Sequence, residues 1–175
     1  MRIIITGTPG TGKTKIAGEL SKKTGYELID LKKIVREEKL LGTGRTVDVK
    51  KLGNKVRKRI KGKKDFVLEG HLACEFSIPC EYLIVLRTHP DTLRKRMKKR
   101  KYGKKKIEEN LFAEMLDYCS QTAQRNYKKT PVEIDTTRRK PAETIKEIIG
   151  VIKKRKKKLD KVDFTKELKE HLGLI

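Results

Sequence analysis

The sequence predicts an α/β fold in which a five-stranded parallel sheet is covered by helices on both faces, a three-layer sandwich. Three observations carry this expectation. Short apolar runs rich in β-branched residues alternate with stretches of helical periodicity along the chain. The connections between them are short, as strand–helix units joined into one parallel sheet require. The first run, Arg2–Thr6, is apolar without alternation, the pattern of a strand buried on both faces.

The elements follow in order. After Arg2–Thr6, helical periodicity from Lys13 to about Lys23 places Ile16, Ala17 and Leu20 on one face, and Gly25 ends it. Tyr26–Ile29 reads as a second strand, and Leu31, Ile34 and Val35 open a second helix. Leu41-Gly42-Thr43-Gly44 breaks the pattern, and Asp48 caps a helix whose apolar face is Leu52, Val56 and Ile60. Asp65–Leu68 is the third strand and Tyr82–Leu86 the fourth. A helix runs from Asp91 to Arg100, Tyr102-Gly103 interrupts it, and Ile107–Tyr127 reads as one long helix. Pro131–Ile134 gives the fifth strand and Ala142–Ile152 the last helix of the core. Residues 153–175 form a basic linker, through the Lys153–Lys158 run, and a short amphipathic segment with Phe164, Leu168 and Leu172 at four-residue spacing.

Composition narrows the function. The chain has 175 residues, enough for one domain, with 39% charged residues and a net charge of +23. The charge concentrates at Lys50–Lys64, Lys98–Lys106 and Lys153–Lys158. A field of that size attracts phosphate-rich partners such as RNA, while a proteome rich in Lys and Glu produces the same composition. Aromatic residues make up only 5%, which disfavours reading single strands by base stacking. The three cysteines, Cys74, Cys80 and Cys119, match no zinc or disulfide spacing and read as reduced thiols. No charged leader precedes the first strand and no run of about 18 apolar residues occurs, so a cytoplasmic protein without a membrane partner is expected.

Gly7-Thr8-Pro9-Gly10-Thr11-Gly12-Lys13-Thr14 completes the G-x-x-x-x-G-K-[ST] pattern between a strand and a helix, the context that gives the pattern meaning. Glycines at 10 and 12 let backbone N–H groups surround a β-phosphate, and the helix N-terminus points its dipole at the same anion. Lys13 is then placed to bridge the β- and γ-phosphates of ATP, and Thr14 to ligate Mg2+. The chain therefore reads as a P-loop NTPase domain. Glu69, at the end of the third strand, is a candidate to hold magnesium through water. His71 is expected on the same side as Glu69, to orient a water or an acceptor phosphate, and a structural role fits it equally. Asn54-Lys55 is followed by Val56-Arg57 inside a helix, so the guanine-reading motif of GTPase switches is absent. A polar insert with Arg36 precedes the third strand and a basic segment with Arg100 follows the fourth. Such inserts suit a kinase that clamps two anionic substrates, with Arg36 on the acceptor side and Arg100 on the donor side.

At this point the sequence resembles the adenylate kinase isoenzyme 6 family. The resemblance rests on Gly7–Thr14, Arg36-Glu37-Glu38, Gly70-His71, Val85-Leu86-Arg87-Thr88, Arg96, Arg100, Tyr102, Asn110 and Lys140-Pro141-Ala142-Glu143, and covers about residues 1–152. It implies a broad-specificity nucleoside monophosphate kinase that also hydrolyses ATP, linked to small-subunit rRNA maturation through a ribosomal protein of the subunit platform. By matching position, Gly10, Thr11, Gly12, Lys13, Thr14 and Lys15 would contact the ATP phosphates. Arg100 would close over them, and Lys140 would lie in the loop packed against adenine. The resemblance also implies an acceptor insert at about residues 30–53 and a lid at about 99–109. The chain departs from the eukaryotic pattern in having Glu69 in place of Asp, a more basic acceptor insert, and the tail after Ile152.

Two function classes follow. One is a kinase that joins ATP and AMP, or a related monophosphate, to give two diphosphates. The other is an ATP-hydrolysing ribosome assembly factor, which the +23 charge favours. A kinase for a small metabolite such as shikimate is weakened by the lack of a second acid after Asp30-Leu31.

Overall fold

The computed structural model of the chain describes residues 1–154, 160 and 162–175, so most of the expected Lys153–Lys158 run lies outside the described residues. Five strands, β1 (Arg2–Thr6), β2 (Glu27–Asp30), β3 (Phe66–Glu69), β4 (Tyr82–Arg87) and β5 (Val132–Asp135), form one parallel sheet in the order β2-β3-β1-β4-β5. Each strand lies within one residue of its predicted position; β1, β3 and β4 are buried along nearly their whole length and announce themselves by apolar runs, while the edge strands β2 and β5 are only partly buried. β1 is central, pairing with β3 through Ile5↔Glu69 and with β4 through Thr6↔Val85.

Alternate residues of the strands feed two cores. Ile3, Ile5, Val67, Ile84 and Leu86 pack with Ile16, Ala17 and Leu20 of α1 (Lys13–Thr24) and with Ile145, Ile148 and Val151 of α7 (Pro141–Lys154). Ile4, Phe66, Leu68, Leu83 and Val85 face the other way, toward Ile34 and Val35 of α2 (Leu31–Glu37) and Leu52 and Val56 of α3 (Val49–Ile60). Asp48 caps α3 as expected, its side chain accepting from Lys51 N at 2.9 Å. A third, smaller cluster joins Leu93 and Met97 of α4 (Pro90–Lys99) to Ile107, Leu111 and Met115 of α5 (Lys104–Met115).

The single long helix expected at Ile107–Tyr127 is instead two, α5 and α6 (Tyr118–Tyr127), parted at Asp117 with φ of 53°. The apolar stripe Ile107, Leu111, Met115, Cys119, Ala123 runs on at four-residue spacing, yet its halves serve different cores. The first three residues join the α4–α5 cluster, and Cys119 and Ala123 join the core under α2 and α3. Only a break in direction satisfies both.

Part of the tail packs back on the domain, at the end of β5 and on the α4–α5 cluster. Asp160 pairs with Arg139 and accepts from Asp135 N at 2.9 Å. Phe164 is buried beside α4 and α5, and α8 (Thr165–His171) follows, with Leu168 packed on the cluster. Leu172, expected to share that face, is 52% exposed because the helix ends at His171.

Candidate active site

β1 delivers the chain to Gly7–Gly12, which turns out of the sheet before α1 begins. Gly10 and Gly12 sit at φ of 104° and 100°, a region that side chains rarely enter. A Cβ on Gly10 would lie 2.6 Å from Leu93 Cδ1, so glycine there lets the loop rest against α4. Thr11 Oγ1 donates to Thr8 O at 3.0 Å, and Thr11 O accepts from Thr136 Oγ1 at 3.0 Å. Lys13 is buried and its Nζ donates to the carbonyls of Gly7 (2.7 Å) and Thr8 (3.0 Å). Burial lowers its pKa to about 8, against the pull of Cys119, Glu69 and Glu114.

Glu69, the last residue of β3, is buried and accepts from Thr14 Oγ1 at 3.1 Å. Burial, then the Asp30 carboxylate that stands opposite in register, raises its pKa. A hydroxyl and a carboxylate side by side suit a hard cation that takes few protein ligands and finishes its shell with phosphate and water, the habit of Mg2+. His71 reaches the same space by another route than strand alternation. β3 ends at Glu69, and His71 opens a 3₁₀ turn, His71–Cys74, whose first carbonyl accepts from Thr6 Oγ1 at 3.2 Å. Its imidazole opens to solvent at the cavity surface, yet desolvation and the charges of Lys13, Lys32 and Lys106 hold its pKa down at about 4. At pH 7 it is neutral.

Two cavities meet at the loop. One, of about 360 Å³, is lined by Lys13, Thr14, Lys32, Glu69, His71 and Lys106 among others, and Tyr118 and Glu75 line it too. The Tyr118 hydroxyl donates to Glu75 at 2.7 Å. The second, of about 480 Å³, is lined by Thr11, Ile16, Arg96, Thr136, Arg139 and Pro141. They share Gly10, Gly12, Lys15 and Arg100.

Behind the loop lies a buried ion cluster. Arg87, which ends β4, donates to Glu114 Oε1 (3.0 Å), Glu114 O (3.0 Å), Glu133 Oε1 (2.8 Å) and Asp117, and its guanidinium lies 5.2 Å from the Phe164 ring. Burial opposes its charge, and Glu114, Asp117 and Glu133 overcome that and raise its pKa. Glu114 also accepts from Thr88 N at 2.9 Å and from Thr8 Oγ1, so a P-loop residue is one carboxylate away from Arg87.

The profile of the family described as AAA domain matches residues 3–117. A protein of Pyrococcus furiosus named "Putative adenylate kinase" is 38% identical over 174 residues, 97% of this chain and 94% of that one. Its namesake in Methanocaldococcus jannaschii is 36% identical over 180 residues, 99% of this chain and 98% of that one. The chain belongs to this adenylate kinase family. Among solved structures, deoxyadenosine kinase from M. mycoides with bound dATP matches with a TM-score of 0.58 at 20% identity, covering 87% of this chain and 100% of that one, and shares the fold.

Within that family frame, the residues singled out in the sequence divide into two groups. Gly10, Thr11, Gly12, Lys13, Thr14, Lys15, Glu69, His71 and Arg100 each border at least one of the two cavities. Arg36 is exposed in the last turn of α2 and lines neither cavity. Lys140 is exposed where α7 begins, its backbone N–H donating to Glu143 at 2.8 Å, while its neighbours Arg139 and Pro141 line the second cavity. Sequence reasoning missed Lys32, Lys106, Tyr118 and the Glu114–Arg87 pair. In a chain with 46 basic residues no lysine stands out, and the charge partners of Arg87 come from three separate elements.

Proposed function

We propose that the protein is a nucleoside monophosphate kinase that moves the γ-phosphoryl group of ATP to AMP or a related monophosphate. The observation that carries this reading is the pair of cavities joined at Gly10, Gly12, Lys15 and Arg100, since a kinase with two nucleotide substrates needs two chambers meeting at the transferred group. ATP lies along the cavity of Arg96, Thr136 and Pro141, with its phosphates in the loop. There the Gly10–Thr14 N–H groups and the α1 dipole hold the β-phosphate. Lys13 leaves the carbonyls of Gly7 and Thr8 for phosphate oxygens, a move that restores a full charge to a group that burial has weakened. Mg2+, held through Thr14 and by Glu69 through water, would neutralise charge on the triphosphate when bound. Arg100 stands at the junction and supplies a donor to the charge that develops on the transferred group while excluding water. His71, neutral at pH 7, orients the acceptor or a water. Residues 1–152 form the kinase domain, with the acceptor insert at about 30–53 and the lid at about 99–109. Three free cysteines suit a cytoplasmic setting. Among the described residues no helix is long and apolar enough to cross a membrane.

The net charge favours a second reading, an ATPase that assists small-subunit maturation by binding a ribosomal protein and rRNA. Lys50, Lys51 and Lys58 of α3 present exposed charge for such a partner. A coupled assay of ADP formation separates the two. Acceleration by a monophosphate, with the diphosphate product appearing in equal amount, supports the kinase. Acceleration only by ribosomal RNA or protein overturns it.

A further inference from the structure

The cavity of about 360 Å³ carries more cations than its anions use. Its carboxylates are engaged, Glu69 with Thr14 and Glu75 with Tyr118. Its cations are Lys13, Lys15, Lys32, Arg100 and Lys106. Lys13, which donates to the loop carbonyls, is assigned above to the ATP phosphates, and Lys15 and Arg100 border both cavities. That leaves Lys32, in the first turn of α2, and Lys106, in the first turn of α5. Neither has an ion-pair partner among the described residues. Lys106 Nζ lies over the Tyr102 ring, 5.1 Å from its centre. Lys32 lies close enough to the loop and the strand end for its charge to be felt at Lys13, Glu69 and His71, and Lys106 is felt at His71 as well. Two ammonium groups without ion-pair partners, brought to one cavity by different elements, make a site for a dianion.

We infer that Lys32 and Lys106 bind the phosphate of the acceptor nucleotide, one from each wall of the cavity, and so set the acceptor's affinity. This rests on the kinase reading above and adds which residues hold the second substrate. A phosphate monoester dianion held there presents an unprotonated oxygen to the γ-phosphorus. One P–O bond forms to that oxygen, and the bond from the γ-phosphorus to the β,γ-bridging oxygen breaks, its electron pair leaving with ADP. Two diphosphates result, and no proton or electron has to be supplied.

The test is steady-state kinetics of Lys32→Ala, Lys106→Ala and the double variant, with Lys33→Ala as a control on the same helix but outside the cavity. Both target residues are exposed, and thermal unfolding within a few degrees of wild type establishes that the variants fold. Each single variant is expected to raise the acceptor KM at least tenfold, and by at least fivefold more than the ATP KM. The double variant compounds the two effects, and Lys33→Ala leaves both constants alone. An acceptor KM within twofold of wild type in both singles, or an ATP KM that rises as much, overturns the inference while leaving the kinase reading intact. A wild-type enzyme that phosphorylates no monophosphate overturns that reading, and the inference with it.

Discussion

Lys13 shows how much one buried charge controls. Its ammonium is held by two carbonyls and has a pKa of about 8, below its ordinary 10.5, because burial penalises the charge. Phosphate binding favours the charged form, so two effects follow as pH rises through about 8. Free protein loses the Lys13 proton, and ATP binding must then restore it. ATP affinity therefore falls with rising pH above about 8, and titration calorimetry in buffers of different ionisation enthalpy should show proton uptake of up to one per site. The stability effect has the opposite sign. Between about 8 and 10.5 the unfolded chain holds more protons than the folded one, so this group adds stability to the free protein as pH rises. Under the proposed kinase reading, Lys13→Ala should reduce turnover by about three orders of magnitude, since the variant lacks the cation assigned to bridge the transferred group. Activity within tenfold of wild type would refute the site. The P-loop could be read in the sequence because phosphate chemistry fixes both residue types and spacing. Lys32 and Lys106 could not, because their meaning lies in facing one cavity from two elements, and the sequence contains many lysines that do not.

At the level of elements, the α4–α5 hairpin joins the segment around Arg100 to the loop. Arg100 caps α4, Gly10 rests on Leu93 of the same helix, and Phe164 of the tail closes the cluster below. Arg100→Ala should lower kcat by at least about tenfold, the scale of losing a transition-state donor, with the ATP KM changed less. Phe164→Ala empties a buried aromatic site and bares the Arg87 guanidinium, and should cost about 3 kcal/mol in denaturant unfolding. A loss below about 1 kcal/mol would mean that the tail is not part of the folded core. Arg87→Ala should cost about 3 to 5 kcal/mol, because Glu114 is left buried without its counter-charge. Strands and most helices were legible from periodicity, but the break at Asp117 was not. The apolar stripe is continuous in sequence, and what divides it is the presence of two cores, a tertiary fact. The docking of the tail on Arg87 was hidden for the same reason.

Over the whole molecule, the order β2-β3-β1-β4-β5 puts the strand ends that carry Gly7, Glu69 and Arg87 side by side. The loop therefore leaves the sheet at β1, where the strand order reverses, the usual place for a ligand in an open parallel sheet. A net charge of +23 surrounds that crevice with a field that favours anionic substrates of any kind. Both substrate KM values should rise with salt as the field is screened, with kcat nearly constant. The sequence alone could supply the magnitude of this field but not its purpose, because ATP, AMP and RNA all answer to it. The central claim is that two nucleotides meet at this loop. It is tested most directly by measuring ADP formation from ATP and Mg2+ with and without each nucleoside monophosphate. The account predicts that at least one monophosphate accelerates ADP formation at least tenfold and is itself converted to its diphosphate in equal amount. ADP formation that no monophosphate changes, with inorganic phosphate as the sole partner product, would contradict it.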